Sequence, residues 1–136
     1  MKSIFLDTGF IIALELKNDQ YHKIANKLWM NILKKHRFFI TPSYIFDEIV
    51  TFFNSCGHHS NAVKIGNILL NSPSIQFIQV DEILFNEGWK FFQKHSDKTY
   101  SLTDCISFAI MKKEKINSAL TFDKHFTQAG FVKLPK

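Results

Sequence analysis

The sequence predicts an α/β fold of three layers, α/β/α, around a short, mostly parallel central sheet. Short β-prone runs recur at 2–6, 37–40, 75–80, 118–122 and 131–133. Between them lie longer stretches of helical period, so strands and helices alternate along the chain. Strands joined through helices pair in parallel and are covered on both faces. With 136 residues, 46% of them apolar, the chain has the size and apolar content of a single domain over 1–136 with one core. Fifteen phenylalanines make that core rich in aromatic rings.

The first strand, 2–6, ends at Asp7-Thr8-Gly9, and a short helix follows over 10–16. The segment 21–35 carries apolar residues at 21, 24, 25, 28, 29, 32 and 33, the spacing of one helix face. A second strand covers 37–40. Thr41-Pro42 then opens a helix, since proline suits a first helical turn; it runs to about Cys56, and Gly57 stops it. A further amphipathic helix over 59–70 closes at Asn71-Ser72-Pro73. The third strand, 75–80, is followed by helices over 81–95 and 101–113. The fourth strand is 118–122, and 131–133 is a last short one.

Four acidic residues fall where such a sheet brings distant segments together: Asp7, Glu48, Asp104 and Asp123. Parallel strands point their carboxyl ends to one edge, and ligands bind in the crevice along it. Asp7 ends the first strand and Asp123 the fourth. Glu48 sits in the second turn of the helix leaving the second strand. Asp104 sits in the first turn of the helix feeding the fourth strand, which places it at the same edge. Carboxylates gathered without basic partners in their motifs are unfavourable unless a cation sits among them. Hard oxygen donors point to Mg²⁺ or Mn²⁺, and so to metal-dependent chemistry on a phosphate backbone.

Each acid has a plainer role open to it. Asp7 and Asp123 stand where helix N-caps stand, and Ser101 to Asp104 reads as a capping box. Glu48 is too deep in its helix to cap it. It belongs to a polar stripe with Tyr44, Thr51 and Ser55, which a solvated face explains equally well. Thr8 and Thr103 adjoin acids and are placed to hydrogen-bond a carboxylate. Lys124, beside Asp123, is the first candidate for a phosphate contact. His125 lies near the same place but reads first as a turn residue, and His58-His59 as an exposed turn or helix start.

The formal charge is +5, with Arg37 the single arginine among 17 basic residues. Positive charge outside an acidic cluster suits a protein that gathers a polyanion, and it serves solubility equally. Cys56 and Cys105 have no zinc or redox spacing and read as buried free thiols of a reducing cytosol. Asp7 and Gly9 interrupt the opening apolar run, so it is not a secretion signal, and no run is long enough to span a membrane. The reading is cytoplasmic. No phosphate-binding loop, dinucleotide fingerprint, nucleophile elbow or zinc-protease motif occurs. Phe52, Phe53, Ile65, Ile68, Leu69 and the first helix offer more apolar surface than the core needs, which predicts a homodimer.

Three stretches carry a resemblance: FLDTGFIIAL, PSYIFDEIVTFF and SLTDCISFAIMKKEKINSALTFDKHFTQAGF. In order and spacing they resemble the PIN domain family, and within it the VapC-type ribonuclease toxins, over nearly the whole chain. The last stretch is the most specific: a helix opened by Thr-Asp, a strand, then TFDKHF and a glycine. The resemblance implies a PIN-like nuclease whose acidic residues map onto Asp7, Glu48, Asp104 and Asp123, with Thr8 and Thr103 as polar companions. Asp123 is the most variable of the four positions. It further implies Mg²⁺ or Mn²⁺, endoribonuclease hydrolysis of RNA phosphodiesters, a homodimer and a cognate antitoxin. The alternatives are a non-toxin RNA-processing nuclease and a catalytically silent RNA- or protein-binding module. A receiver-like phosphoacceptor domain ranks lower, because it needs a pair of acids after its first strand and only Asp7 stands here.

Overall fold

The computed structural model describes residues 3–35 and 37–136. Lys2, part of the predicted opening strand, lies outside the described residues. The strands are β1 (Ile4–Leu6), β2 (Phe39–Pro42), β3 (Ile75–Ile78), β4 (Ser118–Leu120) and β5 (Val132–Leu134). They form one sheet in the order β3-β2-β1-β4-β5, and every neighbouring pair is parallel. The central strands explain why. All residues of β1 and β2 are buried, so both faces of the sheet centre are covered.

The helices are α1 (Thr8–Glu15), α2 (His22–Leu33), α3 (Ser43–Ser55), α4 (His59–Asn71), α5 (Glu82–Lys94), α6 (Leu102–Lys113) and the short α7 (His125–Gln128). Packing divides them into two groups. The first four contact one another, while α5 packs on α6 and α6 on α7. The groups form the two outer layers of the three-layer α/β/α fold. Phe5, Phe10, Phe39, Phe53 and Phe126 are fully enclosed between the layers. Gly88 sets how closely α5 crosses α6. A Cβ there would stand 2.4 Å from Ile106 Cγ1 and 3.0 Å from Ile106 Cα.

Several boundaries differ from the sequence reading. Thr41 and Pro42 belong to β2, where they pair with Phe77 and Ile78, instead of opening a helix. Pro42 is extended, at ψ 165, and stands at the N-cap of α3, so one residue ends the strand and precedes the helix. The third and fourth strands stop earlier than expected, at Ile78 and Leu120. The first helix begins at Thr8 and the last strand is shifted to Val132–Leu134. The α7 turn was not anticipated, because four residues carry no period. Gly57 does terminate α3, at a φ of 81° that disfavours any residue with a Cβ.

Two surface expectations need correction. Of the residues offered as a surplus apolar face, Phe53, Ile65 and Leu69 lie in the core, and Phe52 packs partly against it. Ile68 alone among them is exposed. The hairpin of α3 and α4 buries its own seam, which a one-helix reading of apolarity cannot see. Cys105 is buried as expected, but Cys56, at the C-cap of α3, is exposed.

Candidate active site

From β1 the chain adds β2 and β3 on one side, then returns to place β4 and β5 on the other. The carboxyl ends of β1 and β4 therefore flank the point where the strand order reverses, where open α/β sheets leave a crevice. Asp7 follows β1 directly. Its N–H donates to Leu120 O of β4 at 3.1 Å, extending the ladder by one step. Asp7 occupies the N-cap position of α1, yet its side chain makes no cap bond. The carboxylate turns into the crevice, where Oδ2 accepts the Thr121 hydroxyl at 2.6 Å.

Thr121 is fully buried and ties two of the acids together. The same Oγ1 that donates to Asp7 accepts the N–H of Asp123 at 3.0 Å. Phe122, next along the chain, stacks on Tyr21 at 4.3 Å and on Phe10 at 5.7 Å. Those contacts hold the segment after β4 over the start of α1. Asp123 Oδ1 then accepts the N–H of His125 at 2.9 Å, a local turn that leads into α7. Phe126 is enclosed against Phe5 and Phe108, so the turn is anchored from below.

Asp104 takes the capping role the sequence left open, and it does so at the wall of the crevice. Its N–H donates to Ser101 Oγ at 2.9 Å, and its Oδ2 accepts the Ser101 N–H at 3.1 Å, completing a capping box. One carboxylate oxygen suffices for that cap. Glu48 is exposed on α3 and reaches toward α1, where Oε1 accepts the Thr8 hydroxyl at 2.5 Å. The rest of its polar stripe is local. Thr51 donates to Asp47 at 3.3 Å, and Ser55 to the Phe52 carbonyl at 2.8 Å.

These groups wall a cleft of about 420 Å³ that all four acids share with Thr8, Thr99, Ser101 and His125. Thr103 and Lys124 are not among its walls. The Thr103 carbonyl accepts the Ser107 hydroxyl inside α6, and Lys124 is exposed ahead of α7. A larger cavity, about 670 Å³, lies between α5, α6 and Phe131. Its lining is mostly apolar but includes Glu87, Lys90, Lys94, Lys112 and Lys113, and none of the four acids lines it.

Charge in the cleft is unbalanced. Burial pushes the Asp7 carboxyl up to about 7, with the charges of Asp104 and Asp123 adding to the rise and the Thr121 hydroxyl and Thr8 N–H opposing it. Burial and the Asp123 charge likewise raise Asp104, against its Ser101 bonds and His125. Burial, then Asp104, pushes the Cys105 thiol up to about 11, so it is not a ready nucleophile. His125 stands among these groups. Its Nδ1 lies 3.0 Å from Asp123 Oδ1 and 3.3 Å from Asp104 Oδ2, and Nε2 lies 3.0 Å from Thr99 Oγ1. Carboxylates from four separate segments, two of them forced toward protonation, are a donor set that fits a hard divalent cation.

Thr121 carries no signal of its own in the sequence, because the predicted strand runs through it to Phe122. Nor does Thr99, which lies in the loop before the capping box. His125 carried a signal, its spacing of two from Asp123, but a histidine in a turn is commonplace.

The PIN domain family profile matches residues 4–132. A curated relative is the 23S rRNA-specific endonuclease VapC20 of Mycobacterium tuberculosis. It is 32% identical over 132 residues, which span 96% of this chain and 97% of the relative. The crystal structure of M. tuberculosis VapC20, described as a Sarcin-Ricin loop cleaving toxin, superposes with a TM-score of 0.86 at 33% identity, covering 96% of this chain and 97% of that one. VapBC2 from Rickettsia felis, bound to a promoter DNA fragment, gives a TM-score of 0.69 at 11% identity and 96% coverage of both chains. At that identity the likeness is one of fold.

Proposed function

We propose that this chain, which belongs to the PIN domain family, is a metal-dependent endoribonuclease that hydrolyses RNA phosphodiesters as the toxin of a toxin-antitoxin pair. The observation that carries this is the meeting of Asp7, Glu48, Asp104 and Asp123 in one cleft at the sheet's switch point. The relative of 32% identity, named for cleavage of 23S rRNA, supports a structured ribosomal RNA loop as the substrate class.

Asp7, Glu48, Asp104 and Asp123 would hold Mg²⁺ or Mn²⁺, which when bound supplies Lewis acidity toward water and the scissile phosphate. The chain's own groups prepare the acids for that task. The Thr121 hydroxyl fixes Asp7, the Ser101 N–H fixes one oxygen of Asp104, and the Thr8 hydroxyl fixes Glu48. Such partners orient metal-ligating oxygens and keep them from rotating away. No protein nucleophile is required. Exposed lysines, Lys124 among them, gather the flanking phosphates.

The same reading gives a single domain over 1–136 acting in the cytoplasm, a homodimer, and inhibition by a cognate antitoxin. No described helix is long and apolar enough to cross a membrane. Exposed Ile83, Phe85, Trp89 and Phe92 on α5 support the homodimer, whereas most of the apolar residues of α1, α3 and α4 expected to form its face are taken up by the core. The test is incubation of purified protein with ribosomes and with naked 23S rRNA, the cut site being mapped by primer extension. Cleavage at a defined loop with Mg²⁺ or Mn²⁺, abolished by EDTA and restored by metal, is the expected result. Cleavage that continues in EDTA would overturn the metal-dependent reading.

A further inference from the structure

We propose that His125 is itself a metal ligand, through Nδ1, and that this nitrogen biases the site toward Mn²⁺ over Mg²⁺. The proposal rests on the metal reading of the cleft and extends it from an all-oxygen set to a mixed one.

The geometry is specific to this side chain. Nδ1, Asp104 and Asp123 each offer a donor atom, and the three atoms lie within 4.8 Å of one another. Nδ1 is shut off from solvent and has no hydrogen-bond partner of acceptable geometry, although two carboxylate oxygens stand 3.0 and 3.3 Å away. The opposite nitrogen is engaged, with Nε2 3.0 Å from the Thr99 hydroxyl oxygen. When Nε2–H donates to Thr99, the Nδ1 lone pair faces the two carboxylates. Three acceptors then converge with no proton between them, an arrangement that a cation resolves. A histidine ligand held through its other ring nitrogen is the usual way its tautomer and orientation are fixed.

The ring cannot easily turn away. Tyr100 meets it edge-on at 5.4 Å and 90°, its own backbone N–H is bonded to Asp123, and enclosed Phe126 follows it. The chemical consequence follows from donor type. Mg²⁺ favours oxygen and water, whereas imidazole nitrogen suits transition metals, and Mn²⁺ shares the carboxylate preference of Mg²⁺ while accepting that nitrogen.

The test is electron spin-echo modulation spectroscopy of the protein loaded with Mn²⁺ alone, together with Mn²⁺ and Mg²⁺ titrations by calorimetry. Wild-type protein should show modulation from a directly bonded imidazole nitrogen and bind Mn²⁺ more tightly than Mg²⁺. His125→Ala should lose that modulation and most of the Mn²⁺ preference. Thr99→Val, which removes the group that orients the ring, should lower Mn²⁺ affinity by about tenfold. Bound Mn²⁺ without nitrogen modulation in the wild type, or modulation that persists in His125→Ala, would overturn the assignment and leave an all-carboxylate site. If the wild type binds neither ion, the metal reading of the cleft fails and this proposal with it.

Discussion

At Asp7, burial and then the charges of Asp104 and Asp123 lift the carboxyl from 3.8 to about 7. The folded metal-free protein thus holds this proton more tightly than the unfolded chain does. Its contribution to stability is fully present below about pH 4 and is lost as the pH rises through about 7. Asp104 shifts in the same direction. Thermal unfolding of the metal-free protein should therefore show a lower Tm at pH 8 than at pH 5. Asp7→Asn should flatten that difference and raise the Tm at pH 8, while abolishing cleavage. An unchanged pH dependence would mean that Asp7 is not strained by its neighbours. Thr121→Val makes a complementary case. It keeps the buried shape but removes the donor to Asp7 and the acceptor for the Asp123 N–H. Metal affinity should drop by about 10- to 100-fold with the fold retained, as calorimetry and circular dichroism would show. Three of the acids were legible as single residues because each follows a strand or opens a helix at the edge where ligands bind. Glu48 was legible only as a residue that capping could not explain. Its bond to Thr8 joins side chains forty positions apart, which no local pattern encodes.

Among the elements, α5 packs on α6 at Ile106, two residues after Asp104. Gly88 admits Ile106 so closely that a methyl group would meet its backbone. Gly88→Ala should push α5 off α6 and destabilise the protein by about 1–3 kcal/mol, measured by urea unfolding. Because α6 begins at the capping box that holds Asp104, the same change should also weaken metal binding. A variant of wild-type stability would show that the crossing is looser than it stands here. Helices α2 to α6 were readable from apolar period and from caps, and the strands from short β-prone runs between them. Two kinds of element were not. The end of β2 was hidden because Thr41-Pro42 carries a helix-start signal that is true of Pro42 as an N-cap, while the strand register reaches the same residues. Helix α7 was hidden because it is one turn long and is held by tertiary contacts of Phe126 and not by any helical pattern.

Over the whole molecule, the strand order brings the acids together, and the surface holds what the cleft lacks. Net positive charge around an acidic centre predicts RNA affinity that falls steeply with salt, since phosphate neutralisation releases counterions. The proposed homodimer rests on α5, where Trp89 is exposed and stacked on Phe92. Light scattering should give a dimer for the wild type and a monomer for Trp89→Glu. A wild-type monomer would contradict the proposed homodimer. Chain connectivity made the α/β class and the shared edge legible, whereas the apolar face depended on which helices cover one another and was misassigned. The nuclease proposal requires the four carboxylates to act as one metal-dependent site. Its most direct test is the single-turnover rate of RNA cleavage with saturating Mn²⁺ for Glu48→Gln, with RNA affinity measured alongside. Glu48 has no capping role, so its loss reports on the site and not on a helix end. The expected rate is lower by on the order of tenfold to a hundredfold, with RNA bound as tightly as by the wild type or more so. Cleavage at the wild-type rate would contradict it and return Glu48 to a solvated helix face.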